Sequence, residues 1–241
     1  MTQSSWEETK RRSKYHFNQF FTHPDFDTVD RIGSVMPSWT ENQIKLLIEE
    51  SKAVTWRTRG NPEKESKVRS EEDFISEEYD LENQGYDKDY KVTNLNWEVP
   101  HNIRSIAESF CLEEMMARIH VQHPGQVWNL HMDKLEKWCP ENPDLVERYM
   151  IQLTDWQLGQ FWSYGNYNYC QWRAGDVTTF NWKDIPHSTA NASHYPRITL
   201  QVTGIKTPRT EHFISKLRDL DNSNKSYLCK LNSNMQLDLF N

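Results

Sequence analysis

Glycine is scarce, with eight in 241 residues. None falls in a GxGxxG or GxxxxGK[ST] pattern, so the backbone cradles that hold nucleotide phosphates are missing. The four cysteines, Cys111, Cys139, Cys170 and Cys229, form no CxxC pair, which argues against a thiolate zinc site. No apolar run nears the roughly 20 residues that a membrane helix needs. Residues 1–14 are polar and lack the apolar centre of a secretory leader. Reduced thiols in a cytoplasmic protein are therefore expected. Basic charge is also short: 28 Lys and Arg stand against 35 Asp and Glu, for a net −7. A duplex nucleic-acid binder would need a basic face, so nucleic acid is an unlikely class of partner. What the chain does have is aromatic bulk, with ten each of Trp, Tyr and Phe. Those side chains supply large burial units and exclude wholesale disorder.

The first half reads as helical. Thr40 to Lys52 has a capping-box pair, Thr40 and Gln43, and places Ile44, Leu47 and Ile48 on one face. A short strand is expected over Ala53 to Trp56. A second helix is expected from Pro100 to Arg118, with Ile103, Ile106, Phe110 and Met115 buried. Between them, Pro62 to Tyr90 holds eleven acidic and four basic residues. Such a segment cannot bury much apolar surface and reads as a solvated loop or a lid. As a lid, its charge would favour a cationic partner.

From Ile119 the texture changes to short runs rich in Val, Ile, Trp, Tyr and Thr. Strands are expected at Ile119–Gln122, Gln126–Asp133, Tyr149–Trp156, Gly159–Tyr164, Tyr167–Arg173, Asp176–Trp182 and Pro196–Gly204. Many short strands at close spacing suggest a sandwich or barrel. Glu211 to Leu220 closes the chain as a helix. With no repeat and no clear linker, one domain is expected: residues 1–118 as a helical and lid part, 119–204 as the β core, and 205–241 as a helical tail.

On a strand, alternate side chains share a face. In Gln126–Asp133, His131 and Asp133 therefore point one way, with Trp128, Leu130 and Met132 the other. About 0.6 His-x-Asp triplets arise by chance in such a composition, so the triplet alone decides little. His187 follows a Gly175-Asp176-xxx-Phe180 turn. Ten residues later begins Arg197 to Thr203, which alternates strictly. Ile198, Leu200 and Val202 make an apolar face, and Arg197, Thr199, Gln201 and Thr203 a polar one. That polar side must meet solvent or a polar cavity.

The ordered set His131-x-Asp133, His187, Arg197-x-Thr199 resembles the Fe(II)- and 2-oxoglutarate-dependent oxygenases. The likeness covers about a third of the chain, and its texture is nearest the aspartyl/asparaginyl and prolyl hydroxylase branches. It implies a double-stranded β-helix, a distorted jelly roll that is mainly β with flanking helices. It also implies that His131, Asp133 and His187 ligate Fe(II), leaving positions for 2-oxoglutarate and then O2. Arg197, aided by Thr199, would hold the cosubstrate's distal carboxylate, and Gln152 is the candidate polar contact on a neighbouring strand. Trp162 and Tyr164 could wall the pocket. Imidazole and carboxylate suit non-haem iron, and a guanidinium fork suits a buried carboxylate. Retention of Asp133 implies hydroxylation or demethylation rather than halogenation.

His194 is a rival third ligand, but it lies too close to Arg197 to leave room for metal and dicarboxylate. His120 and His123 read as structural or exposed. The expected substrate is an amino-acid residue, free or in a peptide or protein. The competing expectation is a cupin-like jelly roll, either with another metal or as a non-catalytic binding protein.

Overall fold

The computed structural model describes residues 29–51, 54–55, 91–92, 94–96, 98–165 and 167–238. Its strands are β1 (Asp30–Ser34), β2 (Val54–Thr55), β3 (Lys91–Val92), β4 (Asn94–Asn96), β5 (Glu113–Gln122), β6 (Val127–His131), β7 (Val146–Gln152), β8 (Gln160–Tyr164), β9 (Tyr167–Tyr169), β10 (Asp176–Thr179), β11 (His187–Asn191) and β12 (Arg197–Ile205). Its helices are α1 (Glu41–Glu50), α2 (His101–Ser109) and α3 (Pro208–Asp238). One sheet runs β1-β10-β7-β12-β5-β4 and the other β2-β3-β6-β11-β8-β9. From β5 to β12 the chain changes sheet at every step except the β8–β9 hairpin. The pairs made among these eight strands are antiparallel. The fold is thus a double-stranded β-helix, mainly β with flanking helices, as the sequence leads one to expect.

The alternation along β12 builds the two sides of the first sheet. Ile198, Leu200 and Val202 join Ile119, Val121, Tyr149, Ile151 and Val177 in one core with Leu47 of α1, Ile103 and Ile106 of α2 and Leu217 of α3. Each such side chain contributes about 1.5–3 kcal/mol when fully buried. The opposite face carries Arg197, Thr199, Gln201 and Thr203, each at most 4% exposed. The register sets them beside Gln122, His120 and Arg118 of β5 and beside Gln152 and Arg148 of β7. The polar face is therefore the inside of a barrel and not a solvated surface.

Thr40 caps α1 through the expected reciprocal bonds with Gln43. The second helix stops at Ser109 and does not continue to Arg118. Cys111 and Glu114 take positive φ values of 53° and 48°, which break the helical path, and β-branched Ile119 and Val121 suit the extended segment that follows. Helix α3 outruns its expected span of Glu211 to Leu220. Strands β1, β3, β4 and β11 were not among those expected. Cys111, Cys139 and Cys170 are free thiols. No described helix is long and apolar enough to cross a membrane. The acidic segment from Pro62 to Tyr90 lies outside the described residues.

The turn before β10 is fixed by Gly175. Its φ is +94°, and a Cβ there would meet the Val35 carbonyl oxygen at 2.3 Å. The same edge carries a bond from the Val35 N–H to the Gly175 carbonyl, 2.9 Å. Asp176 completes the turn by accepting from Ser34 Oγ and from the Arg173 N–H. Gly175→Ala is therefore expected to destabilise the fold by about 1–3 kcal/mol or more, read as a lower urea midpoint at unchanged slope.

Candidate metal centre

His131 ends β6 and His187 opens β11, and the two residues are direct partners across the sheet. Asp133 follows His131 by two positions. All three are buried, and one ligand atom from each lies within 4.8 Å of the others. His131 Nε2 is 3.7 Å from Asp133 Oδ1, and His187 Nε2 is 3.6 Å from Asp133 Oδ2. The orientation of both rings has a backbone cause. His131 Nδ1 meets the Asn129 carbonyl at 2.7 Å, and His187 Nδ1 meets the Ile185 carbonyl at 3.2 Å. A carbonyl only accepts, so each Nδ1 carries the proton and each Nε2 is left as the unprotonated nitrogen on the Asp133 side, where the His131 Nε2 also accepts the Trp128 indole N–H. Two imidazole nitrogens and a carboxylate facing one point form a donor set that suits a divalent first-row metal.

Two neighbours of this cluster escaped the sequence reading. Arg148, 4% exposed, donates from Nη1 to Asp133 Oδ2. Its Nε donates to Thr203 Oγ1 at 3.0 Å. Strand β7 starts three residues before the expected Tyr149, which is why Arg148 was not counted among the inward residues. The second is Trp128, expected to turn away from the site. Between the pairs His187–His131 and Thr189–Trp128 the register shifts by one residue. That bulge re-aims the side chain. The Trp128 indole N–H lies 3.2 Å from His131 Nε2, and its ring stands edge-on to His120.

Arg197 lies deeper in the same interior. It is 2% exposed, and its Nε and Nη1 have no partner among the described residues. Its guanidinium sits 4.5 Å from the Trp162 ring centroid. Trp162 stacks on Tyr164 at 5.6 Å, and Tyr164 on His187 at 6.1 Å. These two aromatics link the surroundings of the guanidinium to those of His187. Burial lowers the Arg197 pKa to about 10, so the group is still cationic at neutral pH. Thr199 Oγ1 donates to Gln152 Oε1 at 3.1 Å, and Gln152 Nε2 has no partner among the described residues. Arg197, Thr199 and Gln152 thus share the interior with the His–Asp–His cluster.

The remaining histidines stand apart. His194 is exposed. His123 bonds Ser51 Oγ at 2.6 Å. His120 contacts Gln201. Its burial, with the Arg118, Arg197 and Arg148 charges, holds its pKa well below the usual value, so it is neutral.

No protein-family model and no curated protein matches the chain. Several solved structures are similar in shape. The non-heme alpha-ketoglutarate-dependent epimerase SnoN from nogalamycin biosynthesis is 12% identical, with a TM-score of 0.47 over 84% of this chain and 83% of that one. A predicted oxalate decarboxylase from Thermotoga maritima is 12% identical, with a TM-score of 0.31 over 47% and 80%. A Cupin 2 conserved barrel domain protein from Salinispora arenicola is 13% identical, with a TM-score of 0.31 over 52% and 84%. Likenesses of this size say nothing about the reaction.

The geometry predicts one Co(II) bound per chain in an anaerobic titration. His187→Ala and Asp133→Ala should abolish that binding, and His194→Ala should leave it unchanged. Asp133→Ala should also destabilise the metal-free protein by about 3–5 kcal/mol, because it strands a buried guanidinium.

Proposed function

We propose that the chain is an Fe(II)- and 2-oxoglutarate-dependent oxygenase that hydroxylates a C–H bond of an amino-acid residue, free or in a peptide or protein. The observation that carries this reading is Arg197. A buried cation with unmatched donors is costly, by several kcal/mol, unless a ligand anion meets it. 2-Oxoglutarate has a carboxylate for the guanidinium at one end and a chelating keto acid for a metal at the other. Arg197 would hold the distal carboxylate through its two-pronged fork. Thr199 and Gln152 would add a hydroxyl and an amide beside it. His131, Asp133 and His187 would hold the iron, which supplies dioxygen activation at the positions they leave open.

The rest of the chain's contribution is placement and exclusion of water. The carbonyls of Asn129 and Ile185 fix which imidazole nitrogen faces the metal. Trp162 beside Arg197 and Tyr164 beside His187, both buried, would wall the cosubstrate pocket, and a dry interior strengthens the polar contacts made there. Asp133 in the ligand set favours hydroxylation over halogenation. The net −7 charge of the segment from Pro62 to Tyr90 would favour a cationic peptide as substrate.

The test is a mass-spectrometric screen of amino acids and peptides with the protein, Fe(II), 2-oxoglutarate and O2. The expected result is a product heavier by one oxygen, formed with succinate. Binding of a candidate without oxygen gain or 2-oxoglutarate consumption would instead indicate a cupin-like binding protein. Arg197→Lys keeps the charge but loses the fork, and should raise the 2-oxoglutarate requirement about tenfold or more while iron affinity stays the same. Unchanged cosubstrate affinity in that variant would remove Arg197 from its role.

A further inference from the structure

We infer that Arg148 is a positioning residue that restricts Asp133 to metal binding through a single oxygen. The inference rests on the metal-centre reading proposed above. Arg148 Nη1 donates to Asp133 Oδ2, the oxygen 3.6 Å from His187 Nε2, while Oδ1 lies 3.7 Å from His131 Nε2. The guanidinium is itself held. Nε donates to Thr203 Oγ1 at 3.0 Å. The Gln201 amide oxygen, turned toward the arginines, accepts from Arg148 Nη2 at 3.2 Å and from Arg118 Nε at 2.8 Å. That amide orientation is the sound one, since the opposite one sets its nitrogen against donors alone. Arg148 is therefore fixed in plane and in depth, and it fixes one edge of the carboxylate.

The consequence concerns coordination positions. A carboxylate free to rotate can chelate a metal with both oxygens. Together with two histidines it would then occupy four positions of an octahedron, too many for a bidentate keto acid and dioxygen to share the remainder. A guanidinium on Oδ2 opposes that second bond by its charge and by taking one of that oxygen's lone pairs. Arg148 and Gln152 face the same side of β7, so this strand serves both the ligand carboxylate and the proposed cosubstrate pocket.

The test compares wild type with Arg148→Gln, Arg148→Lys and Thr203→Val. The readouts are Co(II) titration, the change in the Co(II) spectrum on adding 2-oxoglutarate, and thermal melting of the metal-free protein. Arg148→Gln should bind Co(II) within about threefold of wild type yet need at least about tenfold more 2-oxoglutarate for the spectral change, since a second carboxylate–metal bond would compete with the keto acid. Arg148→Lys should recover part of that loss. Thr203→Val, which loosens the guanidinium without removing its charge, should show a smaller loss of the same kind. Parallel loss of Co(II) binding, 2-oxoglutarate binding and melting temperature in all three variants would make Arg148 a structural residue and overturn the inference. Wild-type cosubstrate affinity in Arg148→Gln would overturn it too. A wild-type protein that binds no Co(II) would bring down the metal-centre reading, and this inference with it. Co(II) and 2-oxoglutarate binding in wild type, with only the variant pattern failing, would bring down Arg148 alone.

Discussion

Strand β12 separates a hydrocarbon core from a polar barrel interior, and so tolerates no slip. A one-residue shift would drive Arg197, Thr199, Gln201 and Thr203 into contact with the helices and turn Ile198, Leu200 and Val202 inward. Each buried polar group without a partner would then cost on the order of 1–3 kcal/mol, and the guanidinium more. That penalty fixes the register of β12 against both β5 and β7. Register in turn decides the neighbours: Thr199 beside Gln152, and Thr203 beside Arg148. The chemistry-bearing groups of three strands are placed by one alternation.

The second sheet supplies the histidines by a different route. Because the chain crosses between sheets, the end of β6 and the start of β11 become antiparallel neighbours although they are distant in sequence. His131 and His187 meet without any loop having to carry them. Their rings are then tied by Nδ1 to carbonyls two residues earlier in each case. A local backbone bond of this kind sets the tautomer before any metal is involved. At Ile185 the following proline restricts the backbone to extended conformations, which helps hold the carbonyl where His187 needs it.

The sequence already displayed the parts governed by period and spacing. The alternation of Arg197 to Thr203, the His131-x-Asp133 pair and the capping box at Thr40 each depend on residues close in the chain. Where it misled, a local departure from the ideal period was responsible. The α2 pattern runs smoothly through Met115, but positive φ at Cys111 and Glu114 ends the helix early. The bulge in β6 turns Trp128 toward His131, which simple alternation places on the opposite face. Strand β11 lacks an apolar stripe, because its buried positions His187, Thr189 and Asn191 are polar. Without hydrophobic alternation a strand of this kind gives no periodic signal. Arg148 was invisible for the related reason that a charged residue at a strand start reads as a solvated end, when in fact it is paired inside.

The two deeply buried arginines illustrate how the same side chain is put to different uses. Arg148 is matched within the protein, by Asp133, Thr203 and Gln201. An external carboxylate arriving there would have to displace a buried ion pair, and breaking such a pair costs about 3–5 kcal/mol. Arg197 has the Trp162 ring against it and, among the described residues, two donors, Nε and Nη1, without a partner. The Trp162 face offers a cation–π attraction of about 2 kcal/mol when desolvated, which is less than the cost of burying the charge. An anion meeting Arg197 therefore gains the full strength of a charge-assisted fork in a dry interior and breaks nothing to do so. Electrostatics thus favours Arg197 over Arg148 as the partner of an incoming carboxylate, while Arg148 is engaged with the carboxylate of Asp133.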